Sequence, residues 1–411
     1  MASQCLPVCS TNDFTTYALR RAHEPCQARR SRRVHLLPSA SDRYTVVARQ
    51  AMLLPARFFK PQLIQRVAYS VLAFAFAYLV YVDLGPATRY NVFAHPHPVL
   101  LEEVNPNLNG NATSPSIDLV IASVEADDIT WASNLPFPNY AIRRYVSDDP
   151  SAEYHPPKPK GREALMYFTY LCDFYDSLPE ISIFVHAAEM AWHVEGTLLQ
   201  NTSFALANLD LRAVQLRGYF NLRMTWRAGC PVWIDTRKSL DDYDKEEEPY
   251  MAEAWRANFG DDAVVPPTLG GPCCSQLAVA REAIRRRPRA QYCRSRDWLL
   301  ATEMRDAVVG RVWEHMWPNL FTNETSDCAH PERESLCQMY GICFVDDPGL
   351  DEYKELWEER ERLKEAMSFF RAVWRPRKAA VAREKLVRVN GNIEQRLSAA
   401  WRSGHGSGDG G

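Results

Sequence analysis

The sequence has no internal repeat, and its cysteines form no paired C-x₂-C motif. The first absence argues against a repeat architecture, and the second argues against a zinc ribbon. Acidic residues are scarce at the start, where residues 1–66 contain only Asp13, Glu24 and Asp42 against eleven lysines and arginines. That segment therefore carries a formal charge of +8. Because the whole chain is −3, residues 67–411 carry −11.

The apolar run from Val67 to Val82 contains no charged residue and directly follows the basic segment. About 16–18 apolar residues are just long enough to cross a thin bilayer as a helix. The positive flank normally stays in the cytoplasm. We therefore predict a single-pass type II anchor over residues 67–84, a cytoplasmic tail over residues 1–66, and an ER or Golgi lumenal domain. A buried core helix, a cleaved signal peptide and a mitochondrial presequence are the alternatives.

Three N-x-S/T acceptors for N-glycosylation lie beyond the apolar run, at Asn111, Asn201 and Asn323. The glycosylation enzymes would reach these asparagines if the downstream chain is lumenal. The acidic character of the downstream chain argues against a nucleic-acid partner, because the arginine excess is confined to the predicted cytoplasmic tail.

The cysteines beyond the predicted anchor fit an oxidising compartment, in which disulfide bonds form. We expect such bonds among Cys172, Cys230, Cys273, Cys274, Cys328, Cys337 and Cys343. That set is odd in number, so it predicts at least one thiol that is free or cross-linked between chains. The pairing stays open, and a zinc site is the alternative for the last three cysteines.

Composition divides the chain after the anchor into four segments. Residues 85–116 are rich in Pro, Asn and Ser and predict a stalk. Residues 117–349 are long enough for one α/β domain, in which we expect a mixed sheet with flanking helices and an acidic surface insertion over residues 238–267. Residues 350–390 carry apolar residues at helical spacing and predict an amphipathic helical segment. Residues 391–411 predict a flexible tail.

Polar residues follow two predicted buried strands. Asp127 and Asp128 come after the first strand, where ligands of α/β sheets commonly bind. The alternative is that both aspartates cap the next helix. The second strand, ISIFVH, ends at His186, and Glu189 and His193 follow within seven residues. These three side chains could hold a divalent metal, whereas hydrogen-bonded structural histidines are the alternative.

Two further charged residues are candidates for the chemistry. Arg281 follows a Gly-Gly-Pro turn and could neutralise a phosphate, although an exposed basic helix face is the alternative. Glu314 lies between Trp313 and Trp317, so burial would raise the pKa of its carboxyl, as suits a general base. A partly exposed helix residue is the alternative for Glu314.

Six sequence blocks follow one another in a characteristic order across roughly residues 117–345: DLVIASVEADDITWASNL, YLCDFYDSLPEISIFVHAAEMAWH, GYFNLRMTWRAGCP, PCCSQLAVAREAI, GRVWEHMWPNLF and YGIC. This joint pattern resembles the fungal family known as domain-of-unknown-function family 3431. The block order is also distantly similar to nucleotide-sugar transferases with a GT-A type, Rossmann-like fold. Such enzymes are commonly type II Golgi proteins, which agrees with the predicted anchor.

The second resemblance implies transfer of a sugar from a nucleotide sugar to a glycan or small-molecule acceptor. Asp127 or Asp128 would hold the ribose or base, and Arg281 would help to neutralise the leaving diphosphate. Glu314 would deprotonate the acceptor hydroxyl.

The same resemblance implies that His186, with Glu189 or His193, faces the diphosphate or a Mn²⁺ or Mg²⁺ ion. However, no Asp-x-Asp follows the strand that ends at His186, where such a fold carries its metal ligand. This departure favours a second hypothesis, a non-catalytic lumenal domain that binds glycans or partner proteins. A third hypothesis is a metal-dependent hydrolase that uses His186 and His193.

Overall fold

A computed structural model describes residues 114–227, 229–239, 245–368 and 375–406 of the chain. These ranges exclude the predicted cytoplasmic tail at residues 1–66, the predicted anchor at residues 67–84, Asn111 and nearly all of the predicted stalk. No helix within the described ranges is long and apolar enough to cross a bilayer.

A five-stranded mixed sheet forms the centre of the domain, with the strand order β2-β1-β3-β7-β4, and β5 and β6 form a separate pair. The strands are β1 (Ile117–Ser123), β2 (Tyr140–Val146), β3 (Ile181–His186), β4 (Tyr219–Asn221), β5 (Ile234–Asp235), β6 (Thr268–Leu269) and β7 (Leu277–Ala280). Strand β1 is parallel to β2 and β3, whereas β7 is antiparallel to both β3 and β4. The predicted α/β mixed sheet is confirmed.

Helices cover both faces of this sheet. The α-helices in the described ranges are α1 (Arg162–Asp173), α2 (Thr202–Ala207), α3 (Leu211–Arg217), α4 (Met251–Phe259), α5 (Arg281–Arg285), α6 (Arg289–Ala301), α7 (Asp306–Thr322), α8 (Glu332–Tyr340), α9 (Asp347–Ala366) and α10 (Pro376–His405). All seven residues of β1 are buried, because helices cover both faces of the sheet. The buried Asp118 within this strand pairs with Arg143 of β2.

Successive side chains of β1 enter two different cores, because the side chains of a strand alternate between its faces. Leu119 and Ile121 pack with apolar residues of α2, α3, α8, α9 and α10. Val120 and Ala122 pack with apolar residues of α1, α4, α6 and α7. Trp313 of α7 is part of this second core. The elements of the candidate site are therefore held from both sides of the sheet.

Four disulfide bonds connect the cysteines of the described ranges: Cys172–Cys293, Cys230–Cys328, Cys273–Cys274 and Cys337–Cys343. The expected disulfides are confirmed. The prediction of a free thiol among the seven cysteines named above is wrong, because Cys293 is an eighth downstream cysteine and pairs with Cys172.

Two segments differ from the sequence-based expectation. The predicted flexible tail begins at residue 391, but α10 continues to His405, because Ile393, Leu397 and Trp401 bury an apolar stripe against the domain. The expected surface insertion at residues 238–267 contributes α4 to the core. Its Glu248 is fully buried, accepting a hydrogen bond from the Asp235 amide.

Candidate functional site

The carboxyl ends of β1, β3 and β4 and the beginning of β7 meet at one edge of the sheet, because β7 runs antiparallel to its neighbours. Ligands of open α/β sheets bind at this edge. His186 ends β3, Arg223 follows β4, and the segment from Cys273 to Gln276 leads into β7. These elements bring the candidate residues together.

The segment before β7 contacts Glu314 directly. The backbone amide of Cys274 donates a hydrogen bond to Oε2 of Glu314 at 3.2 Å. Cys274 and Ser275 have φ angles of +88° and +44°. Residues other than glycine rarely adopt this left-handed backbone region. Such backbone strain is concentrated at functional sites. The unusual turn directs an amide N–H toward the partly buried carboxyl group of Glu314.

The next residue of this segment reaches a second carboxyl group. The side chain of Ser275 lies near Glu163, the second residue of α1, and lowers the pKa of its carboxyl group against the larger, opposite effect of burial. Its hydroxyl oxygen also accepts a hydrogen bond from the indole N–H of Trp317 at 3.0 Å. Trp317 stacks on Phe168 of α1 with ring centroids 5.0 Å apart. This aromatic packing fixes α7, which carries Glu314, against α1, which carries Glu163.

The carboxyl group of Glu163 lies close enough to Glu314 to influence its protonation. Burial raises the pKa of both carboxyl groups, and the charge of Glu163 raises the pKa of Glu314 further. A carboxylate with a raised pKa accepts a proton more readily than an exposed one, as a general base must. Glu314 was a candidate from its tryptophan neighbours. Sequence reasoning missed Glu163, which has no distinguishing local pattern.

The two candidate histidines are in contact. The ring centroids of His186 and His193 lie 4.4 Å apart, edge to face. The pKa of each ring is lowered to about 4, mainly by burial. The charge of Arg162 adds to this effect at His186, and His186, Arg223 and Arg162 add to it at His193. Both rings are therefore neutral near pH 7. Within the described part of the chain, Nε2 of His186 and Nδ1 of His193 are buried without a hydrogen-bond partner.

Gln276 connects this pair to the sheet edge. Its side-chain oxygen accepts a hydrogen bond from the His186 amide at 3.4 Å, and its side-chain nitrogen donates to the His193 carbonyl at 3.3 Å. The consecutive residues Cys274, Ser275 and Gln276 thus lie against Glu314, Glu163 and the backbone of the two histidines in turn.

The predicted metal ligands do not form a set that suits Mn²⁺ or Mg²⁺. Glu189 accepts a hydrogen bond from the Ser203 hydroxyl instead of joining the histidines. No group of three His, Cys, Asp or Glu side chains in the described ranges could hold a metal ion. Mn²⁺ and Mg²⁺ prefer oxygen ligands, whereas the grouped atoms here are two imidazole nitrogens.

Two arginines supply positive charge at this edge. Arg162 begins α1 with a φ of +51°, and its stem packs against Gly310 of α7, where an added Cβ would come within 3.2 Å of Cδ. Arg223 donates a 2.7 Å hydrogen bond to the Trp192 carbonyl and pairs with Glu195 at 3.3 Å. Neither arginine was a sequence candidate. The Gly161-Arg162 pair at a helix start was the only local signal for Arg162.

Arg281, the arginine that the sequence did favour, lies at the opposite edge of the sheet. Ala280, at the end of β7, pairs with Ile181 at the beginning of β3. The guanidinium of Arg281 donates to the carbonyls of Leu178 and Pro179 at 2.9 and 3.1 Å. The structure does not bring Arg281 together with the histidines or Glu314.

Asp127 and Asp128 lie in the turn after β1 and bond to nearby backbone. Asp127 accepts from the Val124 amide at 2.8 Å, and Asp128 accepts from the Thr130 amide at 2.9 Å. That second bond spans the beginning of the short 3-10 helix Thr130–Asn134, which has no side-chain cap, and it lowers the pKa of Asp128. An open groove of about 330 Å³, lined in part by Glu125 and Arg144, lies beside this turn.

The two predicted glycosylation acceptors in the described ranges differ in their exposure to solvent. Asn201 is half-buried and caps α2, its side-chain oxygen accepting a hydrogen bond from the Phe204 amide. Asn323 is exposed just after α7, and its side-chain oxygen accepts a hydrogen bond from Arg287.

The family described as "Protein of unknown function (DUF3431)" matches residues 119–338, more than half of the chain. This range runs from β1 into α8 and includes every residue of the site described above. No curated protein and no solved structure matched the chain.

Proposed function

The chain belongs to the DUF3431 family, and we propose that it is a glycosyltransferase-like protein of the secretory pathway. It would transfer a sugar from a nucleotide sugar to a glycan or small-molecule acceptor, anchored in the membrane by residues 67–84. The observation that carries this proposal is the turn from Cys274 to Gln276. It joins Glu314, Glu163 and the neutral histidine pair at the sheet edge where α/β proteins bind ligands.

Glu314 is the proposed general base. Its carboxylate would take the proton from the acceptor hydroxyl as that oxygen attacks the anomeric carbon of the donor sugar, and the diphosphate would leave. The raised pKa of Glu314 suits this role. The Cys274 amide bonds one carboxylate oxygen and fixes the direction of the group. Glu163 strengthens the basicity of Glu314 through its charge.

The leaving diphosphate needs positive charge near it. We assign this role to Arg162 and Arg223 in place of Arg281. Arg162 is exposed at the beginning of α1, and its charge reaches both histidines, because it contributes to lowering their pKa values. The nucleoside would lie over the turn after β1, where Asp127 and Asp128 remain the proposed contacts for the ribose or base.

The second candidate is a non-catalytic domain that binds glycans or partner proteins. One observation favours it: Asp127 and Asp128 both bond to backbone amides of their own turn, so the structure already occupies part of their acceptor capacity. Ligand binding at the edge would be common to both functions. Donor binding separates them, because only the transferase needs a nucleotide sugar.

The test is isothermal titration of the full-length protein with nucleoside diphosphates and their sugars, with and without Mn²⁺. Saturable binding of at least one nucleotide sugar is expected. Arg162→Gln and Arg223→Gln should each weaken it by about tenfold or more. Arg212→Ala is the matched control, because Arg212 is exposed on α3, outside the candidate site. The absence of binding by folded protein, or equal binding by all variants, would overturn the proposal.

A further inference from the structure

Trp192 exposes an unusually large part of its side chain beside the candidate site. The residue is 62% exposed, whereas most large apolar side chains of the domain are buried. It lies in the loop between β3 and α2, one residue before His193. Large aromatic residues left exposed next to a polar site are typical of ligand-binding surfaces.

Hydrogen bonds hold the backbone segment that carries the exposed indole. The Trp192 carbonyl accepts the 2.7 Å hydrogen bond from Arg223. On either side of it, the Ala191 amide donates to the Gln200 carbonyl at 2.9 Å, and the His193 carbonyl accepts from Gln276. An aromatic surface fixed before binding loses little conformational entropy when a ligand packs on it.

Polar groups border the indole. The Trp192 and His193 rings have centroids 4.2 Å apart. The guanidinium carbon of Arg223 lies over the indole ring, 5.3 Å from its centroid. Arg223 and His193 therefore cover part of the indole, and its 62% exposure leaves apolar ring surface open beside these hydrogen-bonding groups. This surface is continuous through His193 with the histidine pair.

We propose that Trp192 is the stacking platform for a pyranose ring of a glycan acceptor. One face of a pyranose presents carbon-bound hydrogens, which form an apolar surface that packs on an indole. The ring hydroxyls point outward and can reach polar groups at the border, including Arg223. This assignment rests on the proposed function for its acceptor role, since it places the acceptor on the side of β3, β7 and β4. The nucleoside would lie on the other side, over the turn after β1.

The experiment measures glycan binding by the full-length protein, purified in a detergent without a sugar headgroup. The probes are an array of defined neutral and acidic oligosaccharides, followed by titration with the best one. We expect saturable binding that falls by about tenfold or more in Trp192→Ala and is largely kept in Trp192→Phe. The control is Leu216→Ala, because Leu216 is 82% exposed on α3 and should not affect glycan binding.

Nucleotide-sugar titration of the same variants separates the two proposals. Unchanged donor binding in Trp192→Ala together with lost glycan binding supports the acceptor platform. Lost glycan binding without any donor binding by the wild type keeps the platform but removes the transferase. Three results would overturn the platform: no glycan bound by the wild type, equal glycan affinity in Trp192→Ala, or loss of nucleotide rather than glycan binding, which would make Trp192 a nucleobase contact.

Discussion

His186 and His193 are seven residues apart in the chain, yet their rings meet edge to face with centroids 4.4 Å apart. Burial is the main cause that lowers the pKa of each ring to about 4, and the positive charge of Arg162 adds to it for both. The fold therefore holds two neutral imidazoles where an unfolded chain would begin to protonate them near pH 6.5. This difference links the stability of the domain to pH.

The free energy of unfolding should fall as the pH is lowered from about 7 to about 5. The unfolded state binds more protons than the folded state across this window, because the folded pKa of each histidine lies below its unfolded value. The loss is on the order of 2 kcal/mol for one fully desolvated histidine. Denaturant unfolding of the full-length protein at both pH values measures it.

The raised pKa values of Glu163 and Glu314 act in the opposite direction, so the comparison must be made between variants. The variant His193→Gln should lose less stability than the wild type over the same window. His155→Gln, which alters a histidine outside the pair, should keep the wild-type dependence. If His193→Gln and the wild type show the same dependence, the histidine pair is not held neutral as described.

The adjacent disulfide Cys273–Cys274 should matter for activity more than for stability. A bond between neighbouring residues closes almost no chain, so it restricts the unfolded state very little, and its loss should cost little stability. It does border the amide that contacts Glu314. The double variant Cys273→Ser/Cys274→Ser should therefore unfold within about 1 kcal/mol of the wild type, yet hydrolyse the bound donor about tenfold more slowly.

The matched control is Cys337→Ser/Cys343→Ser. That disulfide closes a longer loop, with a sequence separation of 6, and its loss should cost about 2 kcal/mol. It lies at the end of α8, where the Cys343 amide bonds to Ala400 of α10. Donor hydrolysis should be unchanged by this control. The reverse pattern in the two double variants would contradict a role for the Cys273–Cys274 turn in positioning Glu314.

If the domain is lumenal, Asn323 should carry an N-glycan, and Asn201 should carry one at lower occupancy or none. Asn323 is exposed, whereas the Asn201 side chain caps α2 and is half-buried. Peptide mass spectrometry before and after glycosidase treatment, on protein from a secretory host, measures both occupancies. Asn323→Gln should then remove the mass shift at that site. An unglycosylated chain, with both sequons intact, would contradict the lumenal placement.

Local patterns were sufficient for the centre of the fold. The apolar run of β1 and the sequence ISIFVH of β3 correctly predicted buried strands, and His186 was correctly placed at a strand end. Strand direction has no comparable local signal. Because β7 is antiparallel, its carboxyl end carries Arg281 to the edge opposite His186.

The site depended on contacts that sequence spacing does not reveal. Glu163 and Glu314 are about 150 residues apart in the chain, and the left-handed turn at Cys274 and Ser275 brings their partners together. Nothing in the sequence distinguishes that turn from an ordinary loop. The same reasoning explains why Arg162 was missed, since packing of its stem against Gly310 of α7 and its place near the histidines are set by the fold.

Donor hydrolysis tests the proposed base, Glu314, most directly. The measurement is release of nucleoside diphosphate from the tightest-binding nucleotide sugar by the full-length protein, with water or an acceptor as the attacking group. Glu314→Gln should lower the rate by about 100-fold or more while donor binding is kept. Glu303→Gln, an exposed control, should retain the wild-type rate. A wild type that releases no nucleoside diphosphate, or a Glu314→Gln variant with the wild-type rate, would contradict the proposed role of Glu314.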